Sequence, residues 1–228
     1  MKKHTVKYAL LFLLTIASLS SCLSTKSLTE IVKNKILQDN NAVIQIDTSY
    51  LKLSTDRLQK TDSLVLADKI KSYFIPAILF WSKNNTLGCT INNTYFTDIF
   101  SNKLTELSEE FRIKEILNGR RLEISLESVP NRFIYTNRFN FMFLLYVYSY
   151  SYQESIYPEN GEFNLTYKVL EENKVVKSGN FNINNTVKPL SNSFKSQSKF
   201  IETYIDELKL NFEQQSNQII IKIINEIG

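Results

Sequence analysis

The last thirty or so residues constrain the fold more than any other stretch. Ile201, Tyr204, Ile205, Leu208, Phe212, Ile219, Ile223 and Ile227 recur at three- and four-residue steps. That spacing puts side chains on one face of an α-helix. A helix from Phe194 to Ile227 would run roughly 50 Å at 1.5 Å per residue, and its apolar stripe needs an apolar surface to cover it. Gln214 to Gln218 interrupt the stripe and predict a kink or a change of packing partner. The cover stands just upstream. Phe163, Leu165, Tyr167 and Val169 alternate with polar residues, Glu171-Glu172-Asn173 supply a turn, and Val175 and Val176 open a return strand to Ile183. This pattern predicts a β-hairpin with one apolar face.

The rest of the chain switches between the same two periods. Phe96, Ile99, Phe100, Leu104, Leu107 and Phe111 predict a helix from Asn93 to Phe111, with Asn93 or Thr94 as its N-cap and Asn118-Gly119 as a stop. Leu122, Ile124 and Leu126 then alternate with Glu123, Ser125 and Glu127, which predicts a half-buried strand ended by Pro130 and Asn131. Ala42 to Leu53 and Ser72 to Ser82 look extended, and Pro76, which interrupts the second, predicts an edge position, a bend or a strand start there. Residues 54–63 and Asn84 to Gly88 carry loop and turn chemistry, and so do Pro158 to Gly161 and Asn184 to Ser193. Phe139 to Tyr152 is the most aromatic stretch. Phe139, Phe141 and Phe143 hold odd positions, and Tyr146, Tyr148, Tyr150 and Tyr152 even ones. A central strand with a bulge near Leu144-Leu145, or one covered on both faces, would account for the shift. The element order predicts an α+β fold. Its mainly antiparallel sheet has about five to six strands, with two main helices packed on one face.

The N-terminus has a different character. Lys2, Lys3 and Lys7 precede an apolar run from Tyr8 to Ala17. At about ten residues the run is too short for a transmembrane helix, which needs about 20, and it suits an export signal. It closes on Leu19-Ser20-Ser21-Cys22, which resembles the lipobox of bacterial lipoproteins. The resemblance implies a diacylglycerol anchor on the Cys22 thiol, cleavage before it, and palmitate-type acylation of the new amino terminus. The expected organisation is a signal peptide over 1–21, a lipidated tether and short helix over 22–41, and one α+β globular domain over 42–228. Ser27 and Glu30 have capping-box spacing for the short helix, and residues 23–29 would tether it.

Cleavage changes the composition. It would leave 207 of the 228 residues, lower the net charge from +4 by three lysines to +1, and remove His4, the only histidine. A near-neutral chain lacks the concentrated basic surface that nucleic-acid binding needs. Without histidine there is no Ser-His-Asp or Cys-His arrangement, and the commonest zinc ligand is missing. The five glycines are scattered, so no phosphate-cradling loop forms. Cys89 is left alone and reads as a small buried hydrophobe. Glu123 and Glu127 share a strand face but would stand roughly 13 Å apart, which is wide for a glycosidase pair. The expectation is a non-catalytic protein without cofactor or metal.

Two surfaces stand out as candidates for binding. Tyr146, Tyr148, Tyr150 and Tyr152, with Trp81, pair apolar rings with polar tips. They suit either a helix-covered sheet face or an open binding surface. Arg120 and Arg121, with Arg112 and Lys114, suit either lipid phosphates and acidic partners or ordinary solvation at a helix end.

The anchored cysteine, a helix followed by antiparallel strands, the hairpin Leu165–Ile183 and the closing helix together resemble the periplasmic auxiliary lipoproteins. Those serve lipid-transport ABC systems and lipopolysaccharide assembly at the outer membrane. The resemblance rests on element order and spans about two-thirds of the processed chain. It carries over no functional residue. It implies an envelope lipoprotein that binds a protein partner or a lipid within an assembly or transport system, held on the membrane by its anchor. A solute- or glycan-binding lipoprotein with an aromatic groove is the alternative. Leu23 follows Cys22 where an aspartate would resemble an inner-membrane retention signal. Residues 23–27 also lack the acidic cluster that resembles a surface-export signal. The periplasmic face of the outer membrane is therefore the expected location.

Overall fold

The computed structural model describes residues 25–39, 46, 48–58, 64–76, 79–144, 147–159, 161–184, 187–193 and 195–228. The expectations placed on Cys22, on Tyr146 and on residues 42–45 lie outside these. The fold is α+β and mainly antiparallel.

Helix α1 spans Thr25–Asp39. Strands β1 (Leu51–Ser54), β2 (Leu64–Ile75) and β3 (Phe80–Thr90) follow. Next come helix α2 (Asn93–Glu110) and the short helix α3 (Ile113–Leu117). Strands β4 (Arg121–Ser128), β5 (Arg132–Leu144), β6 (Val147–Pro158), β7 (Glu162–Glu171), β8 (Lys174–Asn184) and β9 (Leu190–Asn192) lead to helix α4 (Gln197–Ile227).

The strands divide into two sheets instead of the one expected. The first runs β1-β4-β7-β8, with β1 parallel to β4, and the second runs β2-β3-β5-β6-β9. Helix α4 serves both. Near its N-terminus Tyr204 packs on Phe133 of β5, with ring centroids 5.2 Å apart. Near its middle Phe212 meets Phe163 of β7 at 4.7 Å and Phe96 of α2 at 5.1 Å. Farther on, the Tyr167 hydroxyl of β7 donates to the Glu226 carboxylate. One long stripe thus covers two sheets in succession, which is why 31 residues stay helical. Gln215 and Ser216 are buried along it, and the Gln215 side-chain amide donates to the Asn184 carbonyl at 3.3 Å. The polar interruption therefore contacts the end of β8, and the helix runs unbroken.

Helix α1 docks on this core. Leu28 and Val32 are fully buried. Lys35 bridges Asp39 at 2.9 Å and Asp206 of α4 at 2.6 Å, and the Tyr95 hydroxyl of α2 donates to Asp39 at 3.0 Å. The bond to Asp206 leads the interactions that raise the Lys35 pKa against its burial. Since α1 already begins at Thr25, the seven-residue tether expected over 23–29 is shorter than predicted.

At Pro76 the structure has both the edge position and the bend: β2 is the edge strand of the second sheet, and the Leu79 amide donates to the Pro76 carbonyl at 3.2 Å, with Leu79 at φ 42°, so Ser72 to Ser82 falls on two paired strands. Three further readings are corrected. Asn84 to Gly88 is not a turn but the middle of β3, where Asn85 and Leu87 face the interior and burial overrides turn propensity. Phe139 to Tyr152 is not one strand but the two arms of a hairpin, β5 and β6. Of Ala42 to Leu53, only Leu51 onward is strand among the described residues. The helix expected over Asn93–Phe111 is α2, capped by Asn92, whose side chain accepts from the Thr94 amide at 2.9 Å.

Candidate functional site

The candidate site is the inner face of the second sheet. Cross-strand pairing defines its rows. Phe74 of β2 faces Trp81 of β3, which faces Phe141 of β5, which faces Tyr150 of β6. Residues directly opposite share a face, so the four rings form one continuous aromatic row. The next row toward the core holds Ser72, Lys83, Phe139 and Tyr152, and the row toward the tip pairs Phe143 with Tyr148. Going inward, the same face carries Asn85, Asn137 and Glu154, then Leu87, Tyr135 and Ile156. The core face of the sheet and the aromatic stripe are therefore one face.

What changes along it is the cover. On β6, Ile156 is 0% and Glu154 1% exposed, whereas Tyr152, Tyr150 and Tyr148 are 51%, 70% and 70% exposed. On β5, Phe133 and Tyr135 are fully buried, Phe139 nearly so, and Phe143 is exposed. The outer halves of β2, β3, β5 and β6 thus form a four-stranded arm that reaches past the helices. Trp81 packs edge-on against Phe139 at 5.6 Å, and its indole N–H donates to the Ser72 hydroxyl at 3.2 Å.

A polar network marks the border. The Glu154 carboxylate accepts from the Tyr135 and Tyr152 hydroxyls, both at 2.6 Å, and from the Asn192 side-chain amide. The Tyr152 hydroxyl in turn accepts from the Asn137 and Gln197 amides, each at 3.0 Å. Gln197 is the first residue of α4, so the network ties that helix end to β5, β6 and β9. Burial pushes the Glu154 carboxyl up, but the hydroxyl and amide donors outweigh it and hold it below its ordinary value. Burial, followed by the hydrogen bond to Glu154, pushes the Tyr152 phenol up to about 12. A buried carboxylate with this many donors is a structural anion.

The predicted site residues separate. Trp81, Tyr148, Tyr150 and Tyr152 lie together on the arm. Arg120 does not join them: it turns back on α3, with its guanidinium donating to the Leu117 and Ile116 carbonyls at 2.9 and 3.1 Å. Arg121 lies on β4 in the other sheet, 3.7 Å from Glu123. Glu127 pairs with Arg57, so the two carboxylates of β4 have separate cationic partners. Cys89 is buried, and desolvation pushes its thiol up to about 12. Phe74, Phe141 and Phe143 were missed as site residues. Pro76 was the available signal, because read as a hairpin turn it folds Phe74 back beside Trp81.

A separate polar cleft of about 210 Å³ lies between α1, α2 and α4, lined by Asp39, Tyr95, Asp98, Lys103, Lys209 and Glu213 among others. Burial pushes the Asp98 carboxyl up. Among the described residues no group of three or more His, Cys, Asp or Glu is placed to hold a metal ion, and no helix is long and apolar enough to cross a membrane. No protein-family model, curated protein or solved structure matches the chain.

Proposed function

We propose that this chain is a lipid-anchored envelope lipoprotein that works as a non-catalytic binding module, with the aromatic arm of its second sheet as the binding surface. The observation that carries the reading is the extension of a core face beyond its cover. Phe74, Tyr148 and Tyr150, at 60% to 70% exposure, stand in register with rings and strands that are buried only a few residues inward. Contiguous exposed apolar surface of this kind marks sites of interaction, and aromatic rings are the usual anchors of such sites. The arm sits on a rigid base, because the Glu154 network locks the strands where the cover ends. The anchor reading is supported by the Leu19-Ser20-Ser21-Cys22 ending and by the position of α1. Two residues, Leu23 and Ser24, separate Cys22 from the first described helical residue, Thr25, a reach of at most about 11 Å over three steps. A domain held that close works at the membrane surface, and the periplasmic face of the outer membrane remains the proposed location.

Two measurements test this. Metabolic labelling with palmitate should mark the wild-type chain and not Cys22→Ser; equal labelling of both removes the anchor reading. A photo-crosslinking residue at Tyr150 should give discrete products in cells, while the same residue at Lys174 on the exposed β7–β8 turn should not. Indistinguishable patterns remove the arm as the binding surface.

A further inference from the structure

We infer that the arm is built to dock into the interfacial zone of a lipid bilayer bearing anionic headgroups. The inference rests on the arm being a binding surface and names what it binds.

Charge is the first argument. The described residues of the arm from the Lys71–Asn84–Arg138–Gln153 row outward, 71–76, 79–84, 138–144 and 147–153, contain Lys71, Lys83 and Arg138 and no Asp or Glu. The chain without its signal lysines carries +1. Everything outside the arm therefore sums to −2, and the net positive charge lies on this one projection. Such a patch is attracted to an anionic membrane surface within a Debye length.

The placement of those charges is the second argument. Lys71 and Arg138 stand in one cross-strand row with Asn84, and Lys83 stands one row toward the tip. Beyond Lys83 every described arm residue is uncharged. The arm thus has an uncharged tip, then a band of Tyr and Trp, then a collar of cations. Tyr and Trp favour the headgroup level, and lysines and arginines favour the phosphates.

The two faces supply the third argument. A protein partner laid on a sheet covers one face and leaves the other wet. At the tip both faces carry apolar side chains. Phe74, Trp81, Phe141 and Tyr150 lie on the inner face; on the outer face Ile75 pairs with Phe80 and Met142 with Ser149, and the next row inward, Tyr73, Ser82, Asn140 and Ser151, is polar. Phe143 and Tyr148 on the inner side and Leu144 and Val147 on the outer side complete the tip, each of them exposed. A lipid interface surrounds a projection on both sides at once. The depth is limited. Among the described pairings β2 pairs only with β3, and β9 reaches only Glu154 to Ile156 of β6. The outer edges of the arm need water or headgroups for their amides, which keeps the arm at the interface and out of the hydrocarbon centre.

Trp81 is the only tryptophan of the chain, so its fluorescence reports on the arm alone. The experiment uses the chain from residue 22 with Cys22→Ser, which has no acyl anchor and retains every described core residue from Leu28 onward. It is mixed with phosphatidylcholine vesicles with and without 30% phosphatidylglycerol. Anionic vesicles should shift Trp81 emission to the blue. Lipids brominated near the glycerol should quench it more than lipids brominated near the chain ends, and 0.5 M salt should weaken the partition. The double variant Lys71→Gln, Arg138→Gln should partition about 25-fold more weakly, about fivefold per cation, with unchanged circular dichroism. Trp81 emission unaffected by either vesicle overturns the proposal. If Tyr150 still crosslinks to an envelope protein in cells, the arm remains a binding surface and its partner is a protein. If emission shifts with protein concentration in the absence of vesicles, the partner is a second copy. Loss of both the vesicle shift and the crosslink ends both readings.

Discussion

Phe133 and Phe141 stand on the same strand and the same face of the sheet, yet they have different surroundings. Phe133 lies under Tyr204 of α4 and is fully buried, while Phe141 is only half-buried, in the aromatic row between Trp81 and Tyr150. The alternation that puts them on one face is continuous through Tyr135, Asn137 and Phe139. Periodicity therefore assigns a face but not a cover. The cover is set by where α4 begins, and that is fixed by Ser196, which caps the Lys199 amide, and by Gln197 on Tyr152. The comparison separates an apolar residue that holds the fold together from one that is available to a partner.

The largest expected effect tests this difference directly. Phe133→Ala should cost about 3–5 kcal/mol, because it removes buried area and leaves a cavity under Tyr204. Phe141→Ala should cost less than about 1 kcal/mol, the scale of a cross-strand pair. Thermal melts of the two variants should differ by on the order of 10 °C. Equal losses would mean that Phe141 is also core and that the arm is not a free surface.

The border comes next. Glu154→Gln should cost about 1–3 kcal/mol, since a buried anion that organises two hydroxyls and an amide is replaced by a neutral group. The pH dependence carries the sharper signature. The folded Glu154 carboxyl lies below its ordinary 4.5. Its stabilising contribution is therefore complete above pH 4.5 and is lost as the pH falls through the folded value. Denaturant titrations of wild type and Glu154→Gln should converge as the pH drops below 4.5. A constant gap across that range would show that the ionised carboxylate is not what holds the border.

Sequence pattern made some of this legible. The stripe from Ile201 to Ile227, strand β7 and the strand around Leu122 to Leu126 each bury one face, and in such elements period and burial coincide; β8 pairs with β7 but buries no residue, and Val175 and Val176 stay exposed. The sequence does not mark the hairpin of β5 and β6, because Leu144 pairs with Val147 and the stretch from Leu144 to Val147 is all apolar or aromatic, with no Gly, Asn or Pro to signal a reversal. The parity change there is what antiparallel pairing produces, since Phe141 opposite Tyr150 pairs an odd position with an even one. Asn84 to Gly88 misled in the opposite direction, because turn-forming residues were placed in a central strand whose neighbours on both sides satisfy its backbone. The site was half legible. Its tyrosines and Trp81 stood out by composition, but Phe74 and the collar of Lys71 and Arg138 come from distant segments, and only strand register brings them together. Arg120 and Arg121 were set apart from the arm by the same long-range pairing.

The smallest effect lies in the hydroxyl that links the two halves. Tyr152 is half exposed on the arm, yet its phenol reaches back to Glu154, and its pKa is raised from 10.0 to about 12. A group whose folded pKa exceeds its unfolded one contributes fully below the unfolded value and loses that contribution as the pH climbs through the folded one. The window for Tyr152 is thus pH 10 to 12. Tyr152→Phe removes the titration and should cost only a few tenths of a kcal/mol to about 1 kcal/mol at neutral pH, because solvent screens a half-exposed site. Other tyrosines titrate in the same range, so the informative quantity is a difference of differences. The change in melting temperature between pH 9 and pH 11.5 should be smaller for Tyr152→Phe than for wild type. If the two changes match, the hydroxyl bridge does not connect arm and core, and the rigid base proposed for the arm rests on backbone pairing alone.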